Sequence, residues 1–383
     1  MSQTKAQLIS GTSTQDVTFD DATVSSLNGG PIAGARNRII NGDMRIDQRN
    51  AGASVSGTPG NFPVDRWKVD QVDSWTTLSL ARNLNSITPP TGFTNYLGVQ
   101  SNAASTPTST QISNVTQIIE AFNASDLAYG TAGAAKVTLS FWVRSSLTGN
   151  FGLSIAGVPT SGAAVRSYPT SYAINAANTW EYKTITIPGD TDTGSVWPTG
   201  NAAGLFIRFM LGAGSTWFGT ANQWASGNFG GPSGTVNIPG TNGATFYITG
   251  VQLEAGSVAT PFERRSYGQE LSLCQRYYQQ IGKTSSSNDV FAVGYTSTNQ
   301  FFGAGFLRAS MRAAPTFSYS GTLSDLNYTH PAVSASVSSI SSSFTNTESY
   351  AVILNSATGT TNGFGAFARC VSANVAVTFT AEL

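Results

Sequence analysis

Histidine chemistry is nearly absent from this chain of 383 residues, which contains a single histidine, His330. That residue stands in NYTHP, directly before Pro331, where the backbone is expected to be extended or to turn. A lone histidine there is far more often a surface residue than a catalytic base. With no GxSxG motif, the chain also lacks the support that a Ser-His-Asp or Cys-His nucleophile needs. We therefore expect no catalytic residue and no cofactor.

Carboxylate pairs are the remaining source of acid–base chemistry, because glycoside hydrolysis needs only one acid and a second carboxylate at a fixed separation. The candidates are Asp190 and Asp192 in PGDTDTG, and Glu254 and Glu263 on either side of AGSVATPF. The aspartates are better interpreted as turn residues that accept hydrogen bonds from nearby backbone amides. They are weak candidates for a calcium ion, because the loop lacks the full acidic set of an EF-hand.

Aromatic side chains in polar loops favour binding over catalysis. Flat rings stack on the less polar faces of sugars, while amides satisfy the sugar hydroxyl groups. Trp197 lies in GSVWPTG, and GSTWFGTANQWASGN holds the rest of the predicted carbohydrate-binding set, namely Trp217, Asn222, Trp224 and Asn228. The same positions allow the alternative that these tryptophans fill the ends of a β-sandwich.

The balanced charge argues against a nucleic-acid partner, and the lack of a long apolar run argues against membrane insertion. Twenty Lys and Arg residues balance twenty Asp and Glu residues, so no broad field attracts a polyanion or an acidic lipid. Nowhere do about 18 apolar residues follow one another, and no classical signal sequence opens the chain. Cys274 and Cys370 are too few for a structural zinc site, and we expect both to be reduced.

Period-2 alternation of apolar side chains predicts an all-β protein in which a jelly-roll β-sandwich occupies residues 37–265. One face of KVTLSFWVR is apolar and starts at Val137, and the other face is mostly polar and includes Trp142. GLFIRFML is apolar on both faces, which is typical of a central strand. Turn-rich segments such as GNFGGPSG separate these runs, as expected for a sandwich.

One short helix is predicted over residues 266–283, in SYGQELSLCQRYYQQIG. The predicted stripe recurs at steps of four and three residues and consists of Tyr267, Leu271, Cys274, Tyr278 and Ile281. It either packs within the subunit or forms a seam between subunits, since the spacing fits both. Short apolar runs then predict a smaller C-terminal β-sandwich domain over residues 284–383.

The residues that flank this core are expected to be structural. Pro261 fixes the direction of the chain, and Glu263, Arg264 and Arg265 offer ions just before the helix. We expect these ions to lock the helix to the sandwich, or one subunit to the next, through charge-assisted hydrogen bonds. Residues 1–36 hold too few apolar side chains for a core and form an extended N-terminal arm, either a flexible tail or a segment that orders on another protein.

Several long segments of this chain carry a family resemblance. NRIINGDMRIDQR and PVDRW stand near the start, YKTITIPGDTDTGSVWPTGNAAGLFIRFMLGAGS in the middle, and MRAAPTF and TFTAEL towards the end. The most specific is FYITGVQLEAGSVATPFERRSYGQELSLCQRYYQ, in which strand, turn, proline and helix follow in order. Together these segments resemble a family of bacteriophage and prophage tail-fibre-like, receptor-binding virion proteins with a carbohydrate-binding-like jelly-roll domain.

The resemblance implies a homotrimeric virion appendage that is made in the host cytoplasm. Its implied partners are further copies of the chain, host surface glycan, and other virion proteins bound through the N-terminal arm. No catalytic motif is inherited, so the leading hypothesis is a non-enzymatic tail fibre or receptor-binding protein that attaches to host glycan. The alternatives are a purely structural head fibre, decoration or tail connector protein, and a polysaccharide depolymerase.

Overall fold

The computed structural model describes residues 36–162, 165–282, 289–330, 333–356 and 362–383. Apart from Arg36, the predicted N-terminal arm lies outside the described residues. Within those ranges the chain is almost entirely β-structure, with one α-helix and a few short 3-10 turns, which confirms the predicted all-β class. No helix in the described ranges is long and apolar enough to span a membrane.

Two six-stranded antiparallel sheets form the larger domain. Its strands in chain order are β1 (Val55–Ser56), β2 (Lys68–Gln71), β3 (Leu78–Arg82), β4 (Leu97–Ser101), β5 (Ile112–Glu120), β6 (Val137–Ser145), β7 (Gly149–Gly157), β8 (Arg166–Ile174), β9 (Glu181–Ile187), β10 (Ala203–Ala213), β11 (Ala225–Ser226) and β12 (Thr245–Ala255). The first sheet has the order β1-β3-β4-β12-β6-β9 and the second β11-β8-β7-β10-β5-β2. This is the two-layered sandwich expected from the alternation.

The core of the sandwich lies between the inner faces of the two sheets. The apolar face of β6 is fully buried, as predicted, and Phe141 at its centre meets Phe209 of β10 at a ring-centroid distance of 5.0 Å. Strand β10 pairs with β5 on one side and β7 on the other, which confirms its predicted central position. Burying each such ring contributes roughly 1.5–3 kcal/mol, so this layer holds the two sheets together.

The C-terminal residues form a smaller β unit. Its strands are β13 (Tyr278–Gly282), β14 (Asp289–Ser297), β15 (Gln300–Phe306), β16 (Thr316–Ser320), β17 (Leu326–His330), β18 (Val333–Thr345), β19 (Ser349–Ser356), β20 (Gly365–Cys370) and β21 (Ala376–Thr380). Six of them close into a barrel of order β14-β15-β19-β18-β17-β20, and β13-β21-β16 form a separate sheet. The sheet closes because β20 pairs with both β14 and β17, which leaves no free edge in the barrel.

The α-helix, α1, spans Tyr267–Gln275 and is shorter than predicted. Ser266 caps its start, where the Ser266 hydroxyl accepts a hydrogen bond from the Gln269 backbone N–H at 3.3 Å. The prediction of a helix up to residue 283 is wrong, because the chain from Tyr278 onward pairs with β21 as a strand. Backbone hydrogen bonds to that distant strand override the helical spacing, so the predicted stripe is divided between two elements.

The buried side of α1 packs within the subunit. Cys274 and Tyr277 share a small apolar cluster with Ile40 and Ile46, and Leu271 packs against it. Tyr267, at the start of the predicted stripe, is exposed. Cys274 and Cys370 are free and buried, and burial raises the pKa of the Cys370 thiol to about 12. Packing inside the subunit therefore accounts for Leu271 and Cys274, the middle of the stripe.

The last residues of the chain are held against the sandwich by ion pairs. Glu382 accepts hydrogen bonds from Arg49, at 2.8 Å, and from Arg66. The Arg49 guanidinium also lies 3.7 Å from the ring centroid of Tyr278, and that of Arg66 lies 3.5 Å from the ring centroid of Tyr277. Charged and aromatic groups thus join the C-terminal unit to the sandwich.

A second buried carboxylate fastens the segment after α1. Glu120 ends β5 and is buried, and its two oxygens accept from Arg276 at 2.6 and 2.9 Å. The Tyr277 hydroxyl donates to the same carboxylate at 2.8 Å. A bidentate arginine pair of this kind fixes orientation as well as distance, so α1 and β13 have a defined position against the second sheet.

Candidate functional site

Trp197 and Trp224 of the predicted carbohydrate-binding set lie next to each other, with ring centroids 5.9 Å apart. Tyr129 lies 5.3 Å from Trp197 and 5.6 Å from Trp224, and Tyr168 of β8 adds a fourth ring 5.7 Å from Trp224. The rings meet edge to face or at a tilt, so each ring covers part of the next. Burial also raises the pKa of Tyr129. We call these four residues the tryptophan cluster.

The indole N–H groups of the tryptophan cluster have partners within the protein. Trp224 Nε1 donates to the Pro188 carbonyl at 2.7 Å, and Trp197 Nε1 lies 3.3 Å from Asp190 Oδ2. Trp197 and Tyr129 line a pocket of about 330 Å³, but both tryptophans are half-buried and pack against the sandwich core. This geometry favours the alternative in which the tryptophans close one part of the sandwich.

Asp190 is a buried structural anion. Arg166 donates to both of its carboxylate oxygens, from Nε at 2.9 Å and from Nη2 at 2.6 Å, and this bond raises the pKa of Arg166. Asp192 accepts from the Ser195 hydroxyl at 2.8 Å and the Gly194 amide at 3.2 Å, as a turn residue does. In the part of the chain that the structure describes, no group of three or more His, Cys, Asp or Glu residues could hold a metal.

The other predicted sugar-binding residues do not join the tryptophan cluster. Trp217 is half-buried, and its Nε1 donates to the Thr110 carbonyl at 2.7 Å. Asn222 accepts from the Thr170 hydroxyl at 2.7 Å, and Asn228 accepts from Arg208 at 2.6 Å. Both asparagine side chains thus use their carbonyl oxygens within the protein, and the five predicted residues do not converge on one site.

The glutamates considered for acid–base chemistry have structural partners. Glu254 is fully buried, and Thr260 donates to it from the backbone N–H at 2.8 Å and from the hydroxyl at 2.7 Å. Glu263 accepts from the Asn37 backbone N–H at 2.7 Å and lies 3.6 Å from Arg265. Both carboxylates accept hydrogen bonds that hold the chain after β12 in place.

Arg265 joins the sandwich to α1. Its Nη1 donates to the Ile39 carbonyl at 3.1 Å and lies 3.4 Å from Glu270 of α1. Its Nη2 donates to the Asn37 carbonyl. These are contacts of the predicted kind, because they link the helix to the start of the sandwich through a charged group.

A different aromatic surface lies on the outer face of the first sheet, and sequence patterns did not reveal it as a site. Its lining includes Phe93, Trp142, Tyr182, Phe262 and Arg264, which together define what we call the aromatic groove. The groove is open and has a volume of about 530 Å³. Tyr182 is 44% exposed and Trp142 is half-buried, so both side chains reach the surface.

Strand register places the two rings of the sheet in the groove. Trp142 of β6 and Tyr182 of β9 are directly paired across the two strands, and their ring centroids are 5.4 Å apart. The neighbours of Trp142, Phe141 and Val143, are buried in the core, so Trp142 must point outward because side chains alternate along a strand. Directly paired residues share a face, which places Tyr182 beside Trp142.

Gly250 leaves the space in which the rings of Phe93 and Trp142 come together. Gly250 lies in β12, where the register against β6 shifts between Thr249 and Gln252, and its φ is +61°. A Cβ at this position would lie only 2.6 Å from the Phe93 ring and 3.3 Å from Trp142. Only glycine adopts this backbone conformation without strain and also leaves room for both rings.

Arg264 gives the groove a positive charge. Its guanidinium lies 4.7 Å from the ring centroid of Phe93 and 5.6 Å from that of Phe262, and its Nη2 donates to the Gly92 carbonyl. Among the described residues Arg264 forms no salt bridge, and no Asp or Glu lines the groove. Arg264, which was predicted to lock the helix to the sandwich, therefore lines the aromatic groove, and its neighbour Arg265 contacts the helix instead.

The sequence contained one signal of this surface. Trp142 is a large aromatic residue on an otherwise polar strand face, and an exposed sheet face gives such a ring no core to fill. Phe93 and Phe262 gave no comparable signal, because they lie in loops whose positions depend on the folded chain.

Comparisons with known proteins found no family and only distant similarity to solved structures. No protein-family model and no curated protein matches the chain. Among solved structures, the enzymatically active domain of tailspike protein 4 from bacteriophage CBA120 is 16% identical, covers 57% of this chain and has a TM-score of 0.29. The family 11 carbohydrate-binding module of a Clostridium thermocellum cellulase is 13% identical, covers 56% of this chain and has a TM-score of 0.26.

A xylan-binding domain from Paenibacillus barcinonensis is 8% identical, covers 61% of this chain and has a TM-score of 0.24. The alignments span 99% of the Clostridium module and 100% of the xylan-binding domain, but only 21% of the tailspike chain. These TM-scores are too low to support an argument about function.

Proposed function

We propose that the protein binds carbohydrate and that the aromatic groove is the binding site. The observation that carries this proposal is the pairing of a half-buried Trp142 with an exposed Tyr182 on an outer sheet face, beside further rings and an arginine without a salt bridge among the described residues. Aromatic rings that are not needed for the core are available to stack on the apolar faces of a sugar. The tryptophan cluster offers less, because its rings cover one another and its indole N–H groups bond internally.

The biological setting that we propose is the surface of a phage particle. The segments from NRIINGDMRIDQR to TFTAEL support this setting through their resemblance to tail-fibre-like proteins. On this proposal the protein is a non-enzymatic, homotrimeric receptor-binding protein of the virion that attaches to host surface glycan. Three weak sites on one rigid body would bind a repetitive surface far more tightly than one site.

The outer face of the C-terminal barrel supports self-association. Val293 of β14 is paired with Phe367 of β20 and with Ala304 of β15, so these side chains form a continuous band across three strands. Val293 is 64% exposed, and Phe306 farther along β15 is 84% exposed. None of these side chains is charged, so the surface that best covers the band is another apolar surface, such as the same band of a second copy.

Glycan binding is tested by removing the two sheet rings. We expect Trp142→Ala, and Trp142→Ala combined with Tyr182→Ala, to weaken binding to host cells and to purified host polysaccharide at least tenfold, about 1.4 kcal/mol, because the stacking surface is lost. Tyr319→Ala, an exposed tyrosine of the C-terminal unit, is the matched control and should bind normally. Trp142 and Tyr182 lie on the outer face of the first sheet, so circular dichroism should show an intact fold in both the single and the double variant.

Two results would count against this site or this function. Normal binding by the double variant would exclude the aromatic groove as the glycan site and favour a site at Trp197 and Trp224. A folded wild-type protein that binds neither cells nor polysaccharide would favour the purely structural virion component.

Self-association is tested by placing a charge on the barrel band. We expect the wild-type protein to sediment as a trimer and Val293→Asp combined with Phe306→Asp to sediment as a monomer, because burying two unpaired carboxylates in an interface costs several kcal/mol. Phe122→Asp changes an exposed phenylalanine of the sandwich and should leave the trimer intact. A wild-type monomer, or a trimer that survives the double change, would contradict this assignment of the band.

A further inference from the structure

We propose that the aromatic groove selects sugars that carry a carboxylate, such as uronic or sialic acids, and that Arg264 is the residue that recognises the acid. This inference rests on the proposed carbohydrate-binding function. It adds the class of ligand and the residue that determines specificity.

The positive charge of Arg264 has no salt-bridge partner among the described residues. The Arg264 guanidinium is held over the rings of Phe93 and Phe262 and bonds to the Gly92 carbonyl through Nη2. These contacts orient the side chain but leave its positive charge uncompensated, because neither rings nor a carbonyl supply an anion. An arginine has five N–H donors, so donors remain for a ligand after the Gly92 bond is made.

Among the residues that the structure describes, no carboxylate lies within salt-bridge distance of Arg264. Asp43 lies close enough to be influenced by the charge of Arg264. Burial raises the pKa of Asp43, and the charges of Arg45 and Arg264 oppose that rise. Asp43 is already paired with Arg45, at 3.2 Å. Arg264 therefore remains the unpaired member of this group of charges.

The tryptophan cluster provides an internal comparison. An arginine, Arg166, is linked to the cluster through Asp190, which lies 3.3 Å from Trp197 Nε1 and neutralises Arg166 by accepting two hydrogen bonds of 2.6 and 2.9 Å. One aromatic surface thus contains its own carboxylate, and the other lacks one. A ligand carboxylate at the aromatic groove would occupy the role that Asp190 has beside Arg166.

Geometry and environment both favour a carboxylate over a neutral hydroxyl group. The planar guanidinium fork matches the two oxygens of a carboxylate, and such charge-assisted bonds are about twice as strong as neutral ones. Aromatic side chains exclude water on one side of the ion pair, which strengthens the attraction relative to a fully hydrated pair. A uronic acid would meet both features, with its ring on Trp142 or Tyr182 and its carboxylate at Arg264.

The test compares matched ligands with the full-length protein. A panel of oligosaccharides that contain uronic or sialic acid is immobilised beside the same oligosaccharides after reduction of each carboxyl group to a primary alcohol. We expect the wild-type protein to bind the acidic forms at least tenfold more tightly than the reduced forms. Arg264→Gln should remove this preference, Arg264→Lys should keep part of it, and Tyr182→Ala should weaken binding to both forms.

A matched control and the possible outcomes separate the two proposals. Arg308→Gln removes an arginine outside the groove that forms no salt bridge in the described part of the chain, and it should keep the preference. Equal binding of acidic and reduced forms, or an unchanged preference in Arg264→Gln, would overturn the inference while carbohydrate binding stands. A wild-type protein that binds no member of the panel, acidic or reduced, would overturn both.

Discussion

Replacing Glu382 by alanine is expected to lower the free energy of unfolding by about 3–5 kcal/mol, the usual cost of leaving one member of a buried ion pair without its partner. Glu382 accepts from Arg49 at 2.8 Å and from Arg66, whose side chain is only 2% exposed. Without the carboxylate, the Arg66 guanidinium stays buried beside the Tyr277 ring with no counterion. Denaturant unfolding followed by tryptophan fluorescence measures the loss.

The control for this prediction is another glutamate. Glu348 is exposed and forms no salt bridge in the described ranges, so Glu348→Ala should change the free energy of unfolding by no more than about 0.5 kcal/mol. If Glu382→Ala were no more destabilising than Glu348→Ala, the ionic junction between the chain end and the sandwich would not be a source of stability.

Replacing Asp190 by alanine is the second change with a large expected effect, again a loss of about 3–5 kcal/mol. Asp190 is 1% exposed and neutralises Arg166, and Trp197 Nε1 lies 3.3 Å from the same carboxylate. The alanine variant leaves the Arg166 charge in a largely buried position and removes a contact of Trp197. Thermal unfolding monitored by circular dichroism should show the lower stability.

Asp192 supplies the matched control, because it belongs to the same loop but its side chain is 39% exposed. Its closest approach to Arg166 is 3.6 Å, and exposed ion pairs contribute about 0–1 kcal/mol, so Asp192→Ala should have a small effect. Calcium should not alter the unfolding of the wild-type protein. Stabilisation by calcium that both substitutions abolish would show that the loop is a metal site after all.

The junction shows how separate sequence motifs acquire a common role. Arg49 comes from NRIINGDMRIDQR, Arg66 from PVDRW, Tyr277 and Tyr278 from LCQRYYQ, and Glu382 from the terminal TFTAEL. All four segments lie in the stretches that carry the family resemblance, yet nothing in their spacing indicated that they meet. They meet because β21 pairs with β13, which brings the chain end to the sandwich.

Local patterns predicted those features of the fold that depend on neighbouring residues. Alternation along KVTLSFWVR assigned Phe141 to the core, and the two apolar faces of GLFIRFML indicated a central strand, because a side chain's direction in a strand follows from its position alone. The helix end was mispredicted, since the spacing of Tyr278 and Ile281 fits a helix and only pairing with β21 makes them a strand.

Composition and alternation by themselves determined that this is an all-β protein with balanced charge, since both are properties of short stretches of chain. Only the tertiary structure decided which aromatic side chains remain on the surface. Trp142 and Tyr182 become neighbours through the pairing of β6 with β9. Trp197 is partly covered because its Nε1 lies beside Asp190 and its ring packs against Tyr129. The physical reason is that exposure and charge neutralisation depend on contacts between distant residues, and no local pattern specifies those contacts.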